Sequence, residues 1–176
     1  MPTDLELLAA IRQRNAEALE ALYEKYGTKV YSLSVAIVGE GMAAQEATQD
    51  TFMKVWVQVE KYRHDAIPFS AWVMMIARQT AIDRLRYERR RTDNNEALET
   101  DGFHELRDVL ADNNARWQDL RMVLDGLPVE QRQVLLLAYY RGLSQSEIAE
   151  HLNMPLGTVK TRTRAALIKL RDMMER

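Results

Sequence analysis

The chain of 176 residues contains no cysteine and only seven glycines and four prolines. Without thiols it can form neither disulfides nor thiolate metal sites. The scarcity of glycine and proline, which interrupt regular structure, favours a helical protein. Its three histidines (His64, His104 and His151) are scattered and lack metal-ligand spacing. We therefore expect no metal and no cofactor.

Long apolar runs are also missing. None approaches the roughly 20 residues that span a bilayer, and the acidic start MPTDLELL is unlike a signal peptide. The expected location is the cytoplasm, with no membrane insertion. The sequence also lacks a phosphate-binding glycine loop and a nucleophile–histidine arrangement. An enzyme is therefore not expected.

Charge is distributed unevenly, although the net charge is only −2. Residues 78–91 carry six arginines against two acids, and residues 156–176 carry six Lys or Arg against two acids. Residues 93–113 hold seven acids and one base. Two basic segments therefore flank an acidic one, and the near-zero total charge hides a distribution that suits a nucleic-acid binder.

The spacing of apolar residues predicts helix almost throughout, which makes the fold class all-α. Gly27 is expected to interrupt or kink the helical pattern that begins near residue 16. Periodicity is lost after residue 91 and resumes at 115. We therefore predict two small helical domains, 1–92 and 115–176, joined by a flexible acidic linker at 93–114.

Residues 143–171 read LSQSEIAEHLNMPLGTVKTRTRAALIKLR, a pattern typical of a helix-turn-helix. Ser144 can cap the first helix together with Glu147, three residues on. Asn153 suits a left-handed turn position, and Val159 can anchor the second helix to the first. The outward face of the second helix then carries Lys160, Thr161, Arg162 and Arg164. A helical hairpin with a solvated basic face is the alternative.

The rest of the chain resembles a known family. AAQEATQDTFMKVWVQVEKY is followed by PFSAWVMMIARQTAIDRLRYERRR and then by the helix-turn-helix. In this order the segments resemble the bacterial extracytoplasmic-function RNA polymerase sigma factors, of the two-domain type. The resemblance implies a stress-response factor that joins core RNA polymerase, recognises the −35 and −10 promoter elements and promotes initiation. It also implies control by an anti-sigma factor.

The resemblance places the helix around Asp50 on the β′ clamp helices of the polymerase, and the second domain near the β flap. The polymerase-binding residues it implies form an outward stripe at helical spacing: Gln45, Gln49, Asp50, Met53 and Lys54. A solvated helix face would account for the same stripe without a partner.

For the −10 element, the resemblance implies a base pulled from the stack near the loop at 62–69 and held beside an arginine-rich helix. The residues implied are Tyr62, Arg63, His64, Phe69, Arg78, Gln79, Asp83, Arg86 and Arg90. Gln79 stands where the family often has Asn. Trp72 and Phe69 are residue types that lie in the core more often than they stack on a base, and Trp72 is expected to lie in the core.

For the −35 element, the resemblance implies contacts from Thr158, Lys160, Thr161, Arg162 and Arg164. Ala165 stands where the family often has a basic residue. The acidic linker could mimic RNA in the polymerase channel or serve only as a tether, and both interpretations stay open.

Two other functions are compatible with parts of the sequence. A helix-turn-helix regulator that does not join polymerase would share the pattern from Gly142 to Lys160, but its receiver domain would need alternating strands and helices. A sigma-like decoy for an anti-sigma protein would not need basic recognition helices.

Overall fold

The computed structural model describes residues 2–63, 67–92 and 124–174. Every regular element in these ranges is a helix, which confirms the predicted all-α class. The chain divides into two compact units, Met1–Thr100 and Asp101–Arg176. None of the described helices is both long and apolar enough to cross a membrane.

The described residues of the N-terminal unit form four helices and one short turn of 3-10 helix. They are α1 (Asp4–Arg12), α2 (Ala16–Val38), α3 (Met42–Gln58), the 3-10 turn (Val59–Lys61) and α4 (Phe69–Thr92). Helix α1 begins at a capping box, in which the Thr3 amide donates to Glu6 Oε2 at 2.7 Å and the Glu6 amide donates to Thr3 Oγ1 at 3.3 Å. These bonds satisfy amides that would otherwise lack a helical partner.

Helices α2, α3 and α4 pack against one another around a single core. Several alanines on their contact faces let the helix backbones approach closely. The fully buried residues of these faces are Leu22, Val30, Ala44, Ala47, Val55, Val73, Ala77 and Ala81. Each fully buried valine or leucine contributes about 1.5–3 kcal/mol. Helix α1 covers one side of this bundle with Leu7, Leu8 and Ile11.

Gly27 does not interrupt α2, so the predicted break was wrong. A glycine inside a helix costs only about 1 kcal/mol, and burial of neighbours such as Val30 outweighs that cost. The ring of Tyr23 covers the glycine, since a Cβ placed there would lie 3.4 Å from Tyr23 Cε1. The helix ends at Val38 and is followed by Gly39, whose φ is 83°.

The C-terminal unit is described from Leu124 and contains α5 (Val129–Tyr140), α6 (Gln145–His151) and α7 (Leu156–Met174). Helices α6 and α7 form the predicted helix-turn-helix. The Ser144 amide donates to Glu147 Oε2 at 2.6 Å, completing the expected capping box, and Asn153 adopts a left-handed φ of 47°. The predicted linker at 93–114 and the helical pattern beginning at 115 lie outside the described residues.

A polar contact fastens the start of α1 to α2. Lys25 Nζ lies 2.8 Å from Asp4 Oδ1, and the Tyr26 hydroxyl donates to the same oxygen at 2.6 Å. Burial alone would raise the pKa of Asp4, but the bonds from Lys25 and Tyr26 outweigh it and lower the pKa below its ordinary value. The ionised carboxylate therefore stabilises the fold.

We expect Asp4→Asn to lower the melting temperature at pH 7 by about 2–4 °C. Because the native pKa lies below the unfolded one, this stabilisation is complete above about pH 4 and disappears as the pH falls through the native pKa. Thermal unfolding followed by circular dichroism at pH 7 and below pH 4 measures the effect. The control Glu24→Gln removes a different carboxylate, which lies on α2, and should leave the melting temperature near the wild-type value. An equal loss at both pH values would contradict the role given to the Asp4 carboxylate.

Candidate nucleic-acid and protein interfaces

The first candidate surface is the outward face of α3. Gln45, Gln49, Asp50 and Met53 are exposed, and Lys54 is half-buried. The opposite face of the helix is buried in the core, so packing with α2 and α4 holds the stripe outward. The structure thus brings the five predicted residues to one face, although Lys54 lies at its edge.

Two apolar residues that the sequence reasoning missed extend this surface. Met42 is 74% exposed at the start of α3, and Val57 is 63% exposed near its end. Val57 lies four residues after Met53, so the helical spacing was available as a signal. Exposed large apolar side chains aligned in this way are typical of a surface that binds another protein.

Three aromatic rings pack together where the 3-10 turn leads toward α4. The ring centroid of Tyr62 lies 5.4 Å from that of Phe69 and 5.2 Å from that of Trp72. Tyr62 and Phe69 are 3% and 4% exposed, whereas Trp72 is half-buried. Neither the Tyr62 ring nor the Phe69 ring presents a face to solvent, so their burial gives no support to the predicted base contact.

The second candidate surface is a stripe on α4. Gln79, Asp83, Arg86 and Arg90 are exposed and follow one another at i, i+4, i+7 and i+11, which places them on one helix face. Gln79 Nε2 donates to Asp83 Oδ1 at 2.8 Å. Met75, four residues before Gln79, is 60% exposed and extends the stripe, although the sequence reasoning did not include it.

Two further −10 candidates lie off this stripe. Arg78 is half-buried on the flank of α4, and Arg63 is exposed after the 3-10 turn. His64 lies outside the described residues. The structure therefore brings together four of the nine predicted residues in one continuous row.

Arg84, a member of the arginine cluster, forms ion pairs inside the N-terminal unit. Arg84 forms an ion pair with Glu46 of α3 and lies 2.8 Å from Glu88 one turn along α4. Its guanidinium also lies 5.5 Å from the centre of the Tyr87 ring. Arg84 therefore ties α4 to α3, whereas Arg86 and Arg90 are exposed on the stripe.

The third candidate surface lies on α7. Lys160, Thr161 and Arg164 are exposed on one face of the helix. Val159, on the opposite side, is fully buried against Ile148 of α6 and so fixes the rotation of the helix. The exposed face is the one that a recognition helix presents to the major groove.

Two of the predicted α7 residues lie away from this face. Thr158 and Arg162 are half-buried, and Arg162 Nη1 lies 3.7 Å from Met154 Sδ. On the exposed face, the Thr161 hydroxyl donates to the Gly157 carbonyl at 2.9 Å, which leaves its oxygen to accept. The sequence reasoning also missed Ile168, which is 53% exposed one turn after Arg164.

Two segments of the chain match known families. Residues 22–91 match the Sigma-70 region 2 family, and residues 123–172 match the Sigma-70 region 4 family. The first match contains the α3 and α4 surfaces, and the second contains the helix-turn-helix.

Curated relatives match almost the whole chain. The ECF RNA polymerase sigma factor SigK of Mycolicibacterium vanbaalenii is 32% identical over 173 residues, which cover 96% of this chain and 87% of that protein. SigK of Mycobacterium ulcerans is 32% identical over 174 residues, covering 96% of this chain and 92% of that protein. A solved structure of CnrH in complex with the cytosolic domain of CnrY covers 98% of this chain and 97% of that chain, at 22% identity and a TM-score of 0.45.

Salt dependence of DNA binding can distinguish an exposed arginine of α4, such as Arg90, from one held in an ion pair, such as Arg84. Arg90→Ala should weaken binding of the full chain to a duplex of arbitrary sequence, about 30 base pairs long, and reduce the slope of log affinity against log salt by about 1. Fluorescence anisotropy at several salt concentrations measures this slope. Arg84→Ala is the matched variant, and it should lower the melting temperature while leaving the slope unchanged. An unaltered slope for Arg90→Ala would show that Arg90 does not contact DNA phosphates.

Proposed function

Because this chain belongs to the extracytoplasmic-function RNA polymerase sigma factors, we propose that its three exposed surfaces bind core polymerase, the −10 element and the −35 element. The observation that carries this proposal is the separation of these surfaces: α3 and α4 present different stripes in the N-terminal unit, and α7 presents a third in the C-terminal unit. The protein would act in the cytoplasm as an initiation factor that performs no chemistry itself.

The α3 surface is the proposed contact with polymerase. Its polar residues Gln45, Gln49 and Asp50 share one helix face with the exposed Met53 and Val57, so the surface combines polar and apolar side chains, as protein interfaces do. The β′ clamp helices would pack against this face, with Lys54 at the edge. The C-terminal unit would lie near the β flap.

The α4 stripe is the proposed −10 surface. Arg86 and Arg90 would neutralise phosphates, which adds affinity without sequence preference. The hydrogen bond to Asp83 holds the Gln79 amide so that its oxygen remains to accept from a base. Gln79 would therefore be the residue that distinguishes bases, with Arg63, His64 and Arg78 beside it.

The α7 face is the proposed −35 surface. Arg164 would donate two hydrogen bonds to one base, which is the commonest specific contact in the major groove. Lys160 and Thr161 would complete this contact, while Thr158 and Arg162 would act from the flank. The proposed domains are residues 1–92 and 115–176, which contain the matched segments 22–91 and 123–172, with the acidic stretch between them as linker.

Control by an anti-sigma factor completes the proposal. Such a partner would cover the apolar side chains that both units expose, which include Met53 and Val57 on α3 and Leu167 and Ile168 on α7. Because the chain has no cysteine, a thiol-based signal would have to be sensed by the partner.

The decisive experiment adds the purified chain to core RNA polymerase that lacks any sigma subunit. A promoter library randomised at the −35 and −10 elements serves as the template, and sequencing of the transcripts identifies the promoters used. We expect start sites preceded by two defined elements. Transcripts that share no upstream sequence, together with no binding to polymerase, would refute the proposed function.

Asp50→Arg should weaken binding to core polymerase at least tenfold, which corresponds to about 1.4 kcal/mol. The change places a cation in the middle of the α3 surface and touches no buried side chain. Competition with a labelled wild-type chain for core polymerase measures the affinity. Glu20→Arg introduces the same charge change at an exposed position on α2 and should bind normally. If both variants bind as tightly as the wild type, α3 is not the docking surface.

Arg164→Ala should reduce discrimination between the selected −35 element and a scrambled one by about 1–3 kcal/mol. Holoenzyme binding to the two promoters, which carry the same −10 element, measures this difference. Lys169→Ala removes an exposed cation from a different side of α7 and should preserve the discrimination. A loss of affinity that is equal for both promoters would reduce Arg164 to a phosphate contact.

A further inference from the structure

The corner between α1 and α2 contains an arginine in a conformation that favours glycine. Arg14 has a φ of 59°. Its amide donates to the Ile11 carbonyl at 3.0 Å, and the Asn15 amide donates to the Ala10 carbonyl at 3.0 Å. These two bonds form a Schellman motif, in which glycine is the usual residue at the left-handed position. A larger residue costs about 1–2 kcal/mol there.

The side chain of Arg14 makes a contact that glycine could not make. Its Nη1 donates to the Trp56 carbonyl at 2.7 Å, and its guanidinium lies 5.6 Å from the centre of the Trp56 ring. Trp56 belongs to the last turn of α3, where carbonyls lack helical partners and a positive charge is favourable. Arg14 thus caps α3 from a position 42 residues away.

Arg12 makes a second contact of the same kind. Its Nη2 donates to the Tyr62 carbonyl at 3.0 Å, just after the 3-10 turn. The Tyr62 hydroxyl in turn donates to the Ile67 carbonyl at 2.8 Å, one residue before Pro68. Tyr62 therefore joins the two ends of the connection between α3 and α4, and Arg12 holds Tyr62.

We infer that Arg12 and Arg14 are positioning residues for recognition of the −10 element. They lie before the matched segment 22–91, and they fix the point at which the chain leaves α3 and turns toward the α4 stripe. The inference rests on the proposed function, in which Gln79 distinguishes the −10 bases with Arg63, the residue after Tyr62, beside it. Neither arginine touches DNA in this scheme, because both act through main-chain carbonyls.

The attachment of α1 does not depend on these two guanidinium groups. Leu7, Leu8 and Ile11 are buried against the bundle, and Asp4 pairs with Lys25. Removing the arginine side chains should therefore release the Trp56 and Tyr62 carbonyls without detaching the helix. Arg14→Gly is especially informative, since glycine relieves the strained φ while removing the cap on α3.

The test uses holoenzyme assembled from full-length chains and a promoter that the wild-type holoenzyme has selected from a randomised library. Arg12→Met and Arg14→Gly should each reduce discrimination between the selected and a scrambled −10 element by about fivefold. Discrimination at the −35 element and affinity for core polymerase should not change. Arg12→Lys, which retains a donor and the charge, should recover most of the lost discrimination.

Salt dependence and stability distinguish a positioning role from a direct phosphate contact and from partial unfolding. A phosphate contact would lower the salt slope of binding in Arg12→Met, whereas a positioning role leaves it unchanged. Partial unfolding would lower −35 and −10 discrimination together, and the melting temperature of Arg14→Gly should not fall. Unchanged −10 discrimination in both variants, or a lowered salt slope, would overturn the inference. If the wild-type holoenzyme selects no promoter, the proposed function itself has failed.

Discussion

The burial of the inner face of α3 is the constraint on which the N-terminal unit depends. Ala47 and Val55 are fully buried between α2 and α4, and this packing fixes both the rotation and the depth of α3. Because α3 cannot rotate, Asp50 and Met53 must point outward. The same packing seats α4, whose exposed stripe is set by the burial of Val73 and Ala77 on its other side. Two binding surfaces thus follow from one apolar interface. In the C-terminal unit, the contact of Val159 with Ile148 has the same role on a smaller scale.

Much of this arrangement could be predicted, because local rules and apolar periodicity agree along most of the chain. The capping box at Ser144, the left-handed Asn153 and the outward face of α3 all follow from spacing alone. The effect of Gly27 was predicted wrongly because the low helix propensity of glycine is a local property, whereas the free energy that offsets it comes from tertiary packing. The burial of Tyr62 was not predicted, for a related reason. Aromatic rings beside a loop suit both base stacking and packing, and only the three-dimensional contacts distinguish the two.

The contacts of Arg12 and Arg14 lay beyond sequence reasoning altogether. Each arginine bonds a carbonyl 42 to 50 residues away, and any residue could have supplied that carbonyl. Every residue has a main-chain carbonyl, so the identity of the accepting residue does not reveal such a hydrogen bond. The sequence therefore shows the arginine that donates but not the residue that accepts. The left-handed conformation of Arg14 could not be predicted either, because nothing in the sequence RQRN indicates that arginine occupies the position where glycine is usual.

The ion pair between Arg84 and Glu46 has a thermodynamic consequence for DNA binding. Affinity for DNA arises largely from the entropy of cations displaced from the phosphates, and only side chains that reach a phosphate displace them. An arginine already neutralised by a carboxylate on α3 contributes structure instead. The N-terminal unit should therefore release fewer ions than its six clustered arginines imply, and its hold on a promoter should be less sensitive to changes in cellular ionic strength.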